Sequence, residues 1–133
     1  MIDMPISSRY NTVMDKTKAS KEYLQGIPEL LILRLLQSRE MYGYEIVQSI
    51  KLETRGAIEF REGVIYPLLH SLHSKRLLAI RRAKVRGRER VYYRLTKAGL
   101  KRLNSKVADW NMVVDAVRGV LHGESAGDAH AAP

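Results

Sequence analysis

The chain has 133 residues and a formal charge of +9, enough length for one domain with a modest core. It contains no cysteine, which excludes disulfides and thiolate metal sites. No apolar run approaches the roughly 18 residues of a membrane span, and the N-terminus lacks the continuous apolar stretch of a secretory signal, so a cytoplasmic protein with no membrane role is expected.

Residues 1–20 are polar, with Pro5 and three serines, and read as a flexible N-terminal arm. Lys16, Lys18 and Lys21 either touch a phosphate backbone or stay solvated. Pro28 and Glu29 then mark a helix start, since Pro suits a first turn and Glu suits the dipole. Leu30, Leu31, Ile32, Leu33, Leu35 and Leu36 follow, so the spacing predicts a core helix over 28–38, buried nearly all round. Ser38 to Met41 reads as a connection.

A second helix is expected over 43–51, with Ile46, Val47 and Ile50 inward. A polar loop follows, and Ile58 and Phe60 alternate with Glu59 as in a short strand. The third helix is expected over 62–75. Ile65, Leu68, Leu69 and Leu72 share one face. The opposite face carries Gly63, Tyr66, Pro67, His70 and Ser74, with Ser71 and His73 at its margins. Pro67 removes one intrahelical bond and crowds the Gly63 carbonyl, so an irregular first turn is expected.

Strands over 78–84 and 88–95 turn near Arg86 and Gly87. Val91, Tyr93 and Leu95 point one way; Arg90, Tyr92 and Arg94 point the other. Thr96 is a good N-cap for a last helix. Its stripe is Leu100, Leu103, Val107, Trp110, Val114, Val117 and Leu121, at spacings of 3, 4, 3, 4, 3, 4, the pattern of a dimerisation seam. Residues 123–133 read as a disordered tail.

The net charge points to a polyanion: most often nucleic acid, less often a membrane surface. The alternative is a basic protein with no such partner. Clustering favours the first. Between Lys75 and Arg102 there are twelve basic residues and one acid, Glu89. Three helices followed by an arginine-rich hairpin make a winged helix-turn-helix, residues 21–95, with the third helix as reader; residues 96–122 add a long C-terminal dimerisation helix. The fold class is mainly α with a small β-hairpin.

Several runs then carry a resemblance: Tyr42-Gly43-Tyr44-Glu45-Ile46, Gly63-Val64-Ile65-Tyr66-Pro67-Leu68-Leu69, Gly87-Arg88 with Arg90, Tyr92-Tyr93-Arg94-Leu95-Thr96, and Gly99. In this order the chain resembles the PadR family of bacterial transcriptional regulators. It departs at Arg61-Glu62, where members often have a Ser or Thr cap, and at Tyr42, where His is frequent. The resemblance implies a homodimeric repressor, often of a detoxification, transport or stress gene and often of its own gene. It also implies that Tyr66 meets a backbone phosphate, and that small aromatic molecules act as effectors of many members. The alternative for Tyr66 is a ring packed beside Pro67.

The expected contacts with double-stranded DNA are Tyr44, Gly63, Tyr66, Pro67, His70, Ser71, Ser74, Lys75, Arg86, Arg88 and Arg90. The wing arginines fix register on phosphates, while Tyr66, His70, Ser71 and Ser74 carry specificity, aided by DNA shape. Trp110 resembles a tryptophan on the last helix of a multidrug-binding branch of the family. With Val107 and Val114, and with Met112 nearby, it could line a slot for a flat aromatic molecule; the alternative is simple dimer packing. His70 and His73 lack a Cys or carboxylate partner, so no metal site is expected. There is no phosphate-cradling Gly-rich loop, nucleophile elbow or acid–base cluster, so neither catalysis nor a cofactor is expected. Two other functions stay open: a small-molecule sensor or sequestering dimer, and a winged helix that binds nucleic acid without sequence preference.

Overall fold

The computed structural model describes residues 23–123. The N-terminal arm with Lys16 and Lys18, the adjoining Lys21, and the tail beyond Gly123 lie outside the described residues. Helix α1 is Ile27–Ser38. It follows Gly26, whose φ of +83° is a left-handed turn into the helix. Pro28 sits where a missing N–H costs nothing, and the Glu29 carboxylate accepts from Arg102 Nε at 2.7 Å. Ile32, Leu33, Leu35 and Leu36 are buried, but Arg34 and Gln37 are exposed. The helix is therefore not buried all round: α4, β3 and α2 pack on it and leave the Arg34 side to solvent.

Strand β1, Met41–Tyr42, replaces the expected connection. It pairs antiparallel with β3, Met41 opposite Tyr93 and Tyr42 opposite Tyr92. Helix α2, Gly43–Glu53, starts directly after it. The Glu45 carboxylate accepts from the Tyr42 N–H at 3.1 Å, satisfying a helix-end donor. After α2 the backbone turns left-handed at Arg55 (φ +54°) and Gly56 (φ +81°). The Thr54 hydroxyl donates to the Ile50 carbonyl at 2.8 Å and accepts from the Ile58 N–H at 3.1 Å. This clamp folds the segment back on α2, so the short strand expected at Ile58–Phe60 does not form. Phe60 is buried as a loop residue.

Helix α3 is Glu62–Ser74 and runs through Pro67 without a break. The irregularity is confined to its start, where the Val64 N–H reaches the Arg61 carbonyl at 2.9 Å, a tighter 3₁₀-type bond. Pro67 leaves the Gly63 carbonyl without a helical donor, and Gly63 is exposed to water. The far end closes on Arg76 at φ +63°, with Arg76 N–H to the His73 carbonyl and Leu77 N–H to the Leu72 carbonyl, both 2.9 Å. That is a Schellman motif with arginine in glycine's usual place.

Strands β2, Leu78–Val85, and β3, Arg88–Leu95, form a hairpin, and the sheet order is β1–β3–β2. Arg86 (φ +53°) and Gly87 (φ +81°) make the two-residue turn whose twist matches the strands. Leu78, Ile80, Val91, Tyr93 and Leu95 lie on the core side, and Tyr93 is 5% exposed.

Helix α4 is Lys97–His122. Thr96 caps it, accepting from the Gly99 N–H at 3.0 Å. A Cβ on Gly99 would sit 2.2 Å from the Leu77 carbonyl oxygen, so only glycine allows this helix to start so close to the α3–β2 junction. Leu103 is 1% exposed and belongs to the core of its own chain. This corrects the expected seam, since that side chain already packs within the protomer. Beyond it the helix projects from the domain. Val107, Trp110, Val117 and Leu121 are exposed, as are Val113 and Val120, so the apolar band is wider than a two-position seam. Among the described residues no helix is long and apolar enough to cross a membrane.

Candidate nucleic-acid interface

Helices α2 and α3 pack through the core, and at the start of α2 they come into close contact through Tyr66. A Cβ on Gly43 would lie 2.4 Å from Cε1 of Tyr66, so the tyrosine ring rests on the bare backbone at the start of α2. Tyr66 is half-buried there, and desolvation pushes its phenol above the ordinary tyrosine range, with the Glu62 carboxylate adding to the effect. It stays a protonated hydrogen-bond donor at neutral pH.

The outward face of α3 presents Gly63, Pro67, His70 and Ser74 to solvent, followed by Lys75 just past its end. Ser71 is half-buried at the margin. Tyr44 is exposed in the first turn of α2. At the hairpin tip Arg86 and Arg88 are exposed, and Arg90 is half-buried. The fold brings Tyr66, His70 and Arg90 together: with Tyr42, Gly43, Glu89, Val91 and Tyr93 they line a slot of about 280 Å³ between α3 and the wing. Arg86, Arg88, Ser74 and Lys75 lie outside this slot.

The positive charge is not evenly available. Among the described residues the ion pairs are Arg39–Glu45, Lys51–Glu59, Arg81–Glu40 and Arg102–Glu29. None involves Arg86, Arg88 or Arg90. The Arg81 hydrogen bonds hold the Glu40 carboxyl below the usual carboxylate range, and Glu40 in turn raises the Arg81 guanidinium. Arg81 is thus a committed charge, while the wing arginines remain free to meet an anion.

An aromatic–cationic row on the outer face of the sheet was not foreseen. Arg81 lies over the Tyr92 ring at 4.6 Å, Tyr92 meets Tyr42 edge-on at 5.6 Å, and Arg90 lies over Tyr42 at 4.2 Å. Strand alternation had put Tyr92 and Arg90 on this face. The partner Tyr42 was hidden because β1 is two residues long, too short for any periodicity.

A second hollow, of about 510 Å³, lies between the end of α1 and the start of α4, lined by residues that include Leu36, Arg39, Arg94, Leu95 and Leu100. Val107, Trp110 and Val114 line neither hollow. Among the described residues no group of three or more His, Asp or Glu side chains could hold a metal ion.

The model of the transcriptional regulator PadR-like family matches residues 32–105, from α1 to the third turn of α4. The chain belongs to this family. A PadR-like transcriptional regulator from Bacillus cereus shares 35% identity and a TM-score of 0.66, over 78% of this chain and 100% of that one. A PadR family transcriptional regulator from Eggerthella lenta shares 28% identity and a TM-score of 0.70, over 88% of this chain and 99% of that one. An uncharacterized protein from Lysinibacillus sphaericus is 30% identical over 97 residues, 72% of this chain and 89% of its own length. PadR membership makes the chain a DNA-binding transcriptional regulator rather than an enzyme, and the face built from α2, α3 and the wing is its candidate DNA surface.

Proposed function

We propose that the protein is a sequence-specific repressor that acts as a homodimer on an inverted-repeat operator. The observation that carries this reading is the apolar band left open on α4, in which Trp110 is 45% and Leu121 70% exposed. From Leu100 to Leu121 it extends roughly 32 Å at 1.5 Å per residue. A patch of this size on a monomer calls for a partner, and a second copy supplies a matching one. Burying each such side chain fully gains up to about 1.5–3 kcal/mol before ordering costs. Two copies then present two α3 helices, which suits half-sites one helical turn apart, roughly 34 Å.

In this reading Gly63, Tyr66, Pro67, His70, Ser71, Ser74 and Lys75 of α3, with Tyr44, meet the groove and its phosphates. Arg86, Arg88 and Arg90 supply most of the phosphate affinity. Capturing genomic fragments on the purified protein and sequencing them tests it. Enrichment of one inverted repeat supports the repressor; salt-sensitive capture without enrichment supports binding without sequence preference.

A second element is release by a small aromatic effector. The partly exposed Trp110, with Val107 and Val114 on the same face, favours it. Two such faces across a two-fold axis form an apolar slot with few polar groups, the usual character of a small-molecule site. An effector acts there only by favouring a dimer geometry whose α3 helices no longer match successive grooves. Titration with planar aromatic compounds, followed by indole fluorescence, tests it. Saturable quenching that disappears in a still-dimeric Trp110→Leu variant supports the slot.

A further inference from the structure

The outer face of the sheet carries a stack that neither packing nor DNA contact by itself requires. Its register sets it up: Tyr42 of β1 lies opposite Tyr92 of β3, and Tyr92 lies opposite Arg81 of β2. Glu40, beside β1, clamps the outer end by binding Arg81, with Nε donating to its carboxylate at 3.1 and 3.2 Å. Arg81 covers Tyr92, Tyr92 sets the tilt of Tyr42 edge-on at 79°, and the open face of Tyr42 carries Arg90 at 4.2 Å. The row thus starts at an ion pair and ends at a wing arginine.

We propose that Tyr42 is a positioning residue for DNA binding: its ring seats Arg90 so that the guanidinium edge meets a backbone phosphate passing the slot beside Tyr66 and His70. The proposal rests on the reading of the wing as a phosphate-binding element. A stacked guanidinium uses its flat face on the ring and keeps its N–H donors, which lie in the plane, for a two-pronged grip on phosphate. Arg90 also lines the slot with Tyr66 and His70, so a phosphate there has donors on both sides. Arg86 and Arg88 are exposed at the tip and lose side-chain freedom when they bind. Arg90 is ordered beforehand, so more of its interaction survives as affinity. The position follows from a strand of two residues, whose effect is to bring Tyr42 beside Tyr92.

The test measures binding of a fluorescent mixed-sequence duplex by anisotropy over a range of KCl concentrations. The proteins are the native chain, Tyr42→Phe, Tyr42→Leu, Arg90→Ala and the Tyr42→Leu/Arg90→Ala double variant. Tyr42→Phe keeps the ring and is expected to match the native protein. Tyr42→Leu is expected to bind about 3- to 10-fold more weakly, the range of a cation–π contact. Its salt slope should drop by about one unit, as in Arg90→Ala, and the double variant should be no worse than Arg90→Ala.

Pentafluorophenylalanine at position 42 keeps the shape of the ring but removes its negative face. It should reproduce the Tyr42→Leu defect with the fold intact, and it decides the matter if Tyr42→Leu folds poorly. Arg90→Ala weakening DNA while the fluorinated ring binds like the native one overturns the proposal alone. Losses that multiply in the double variant overturn it as well. Arg90→Ala keeping full affinity and slope overturns it together with the assignment of Arg90 to DNA.

Discussion

The ring of Tyr66 lies on the backbone of Gly43 with no room between them for a Cβ, which would fall 2.4 Å from Cε1. Alanine at this first helical position would ordinarily favour the helix. Here the clash reverses the sign. Gly43→Ala is expected to cost about 1–3 kcal/mol, the range of overpacking, and to push Tyr66 out of place. DNA affinity should therefore fall even where the protein remains folded. Gly99→Ala is the comparison. Its Cβ would strike the Leu77 carbonyl, which is backbone and cannot swing aside, so it should destabilise more. Urea unfolding of the two variants, with anisotropy for DNA, checks the order.

The ion pairs divide the cations into free and committed ones. Arg86→Ala and Arg88→Ala should each flatten the salt slope of DNA binding by about one unit per lost phosphate contact. Arg81→Ala should leave the slope nearly unchanged, because Glu40 already neutralises that charge. An unchanged slope in the Arg86/Arg88/Arg90 triple alanine variant would rule out the wing as the phosphate contact.

For the dimer, Val114→Asp and Val117→Asp are expected to shift the protein toward monomer in sedimentation and to weaken operator binding in parallel. Leu103→Asp should behave differently. Its side chain lies in the protomer core, so the charge should unfold the chain rather than dissociate a folded pair.

Two titrations have opposite signs. Glu40 is lowered by Arg81, so its contribution to stability is present above the ordinary carboxylate value and is lost as pH falls through its folded value. Tyr66 and Tyr93 are raised by desolvation, so their contribution is full below the ordinary phenol value and is lost as pH rises through their folded values. Ultraviolet titration should show these phenols ionising after the exposed ones. Melting curves of Glu40→Gln should show a weaker acid-side decline than those of the native chain.

Much of this was legible in the sequence, because helices of ten residues or more and a regular hairpin repeat their apolar spacing often enough to be read. The α3 face from Gly63 to Ser74 and the β3 alternation of Tyr92 and Tyr93 are examples. Ile58–Phe60 has the alternation of a strand, but alternation reports burial, and Thr54 decides the backbone path. Leu103 fits the heptad of α4 as well as its neighbours do. Its assignment to the core depends on how close α4 starts to the α3–β2 junction, which Gly99 permits and spacing alone does not reveal. Tyr42 belongs to a cross-strand row, and its partner Tyr92 lies about 50 positions further along the chain.

Among the described residues, the non-glycine residues of left-handed conformation are Arg55, Arg76 and Arg86, and all are arginine. Such a backbone costs a side-chain-bearing residue roughly 1–2 kcal/mol, and glycine would relieve it. At Arg86 the same change removes a free wing cation. A library screened for heat resistance should therefore drift to glycine at that turn, and one screened for DNA retention in salt should keep arginine. The hairpin tip is a site where evolving a hardier protein and evolving a tighter regulator pull in opposite directions.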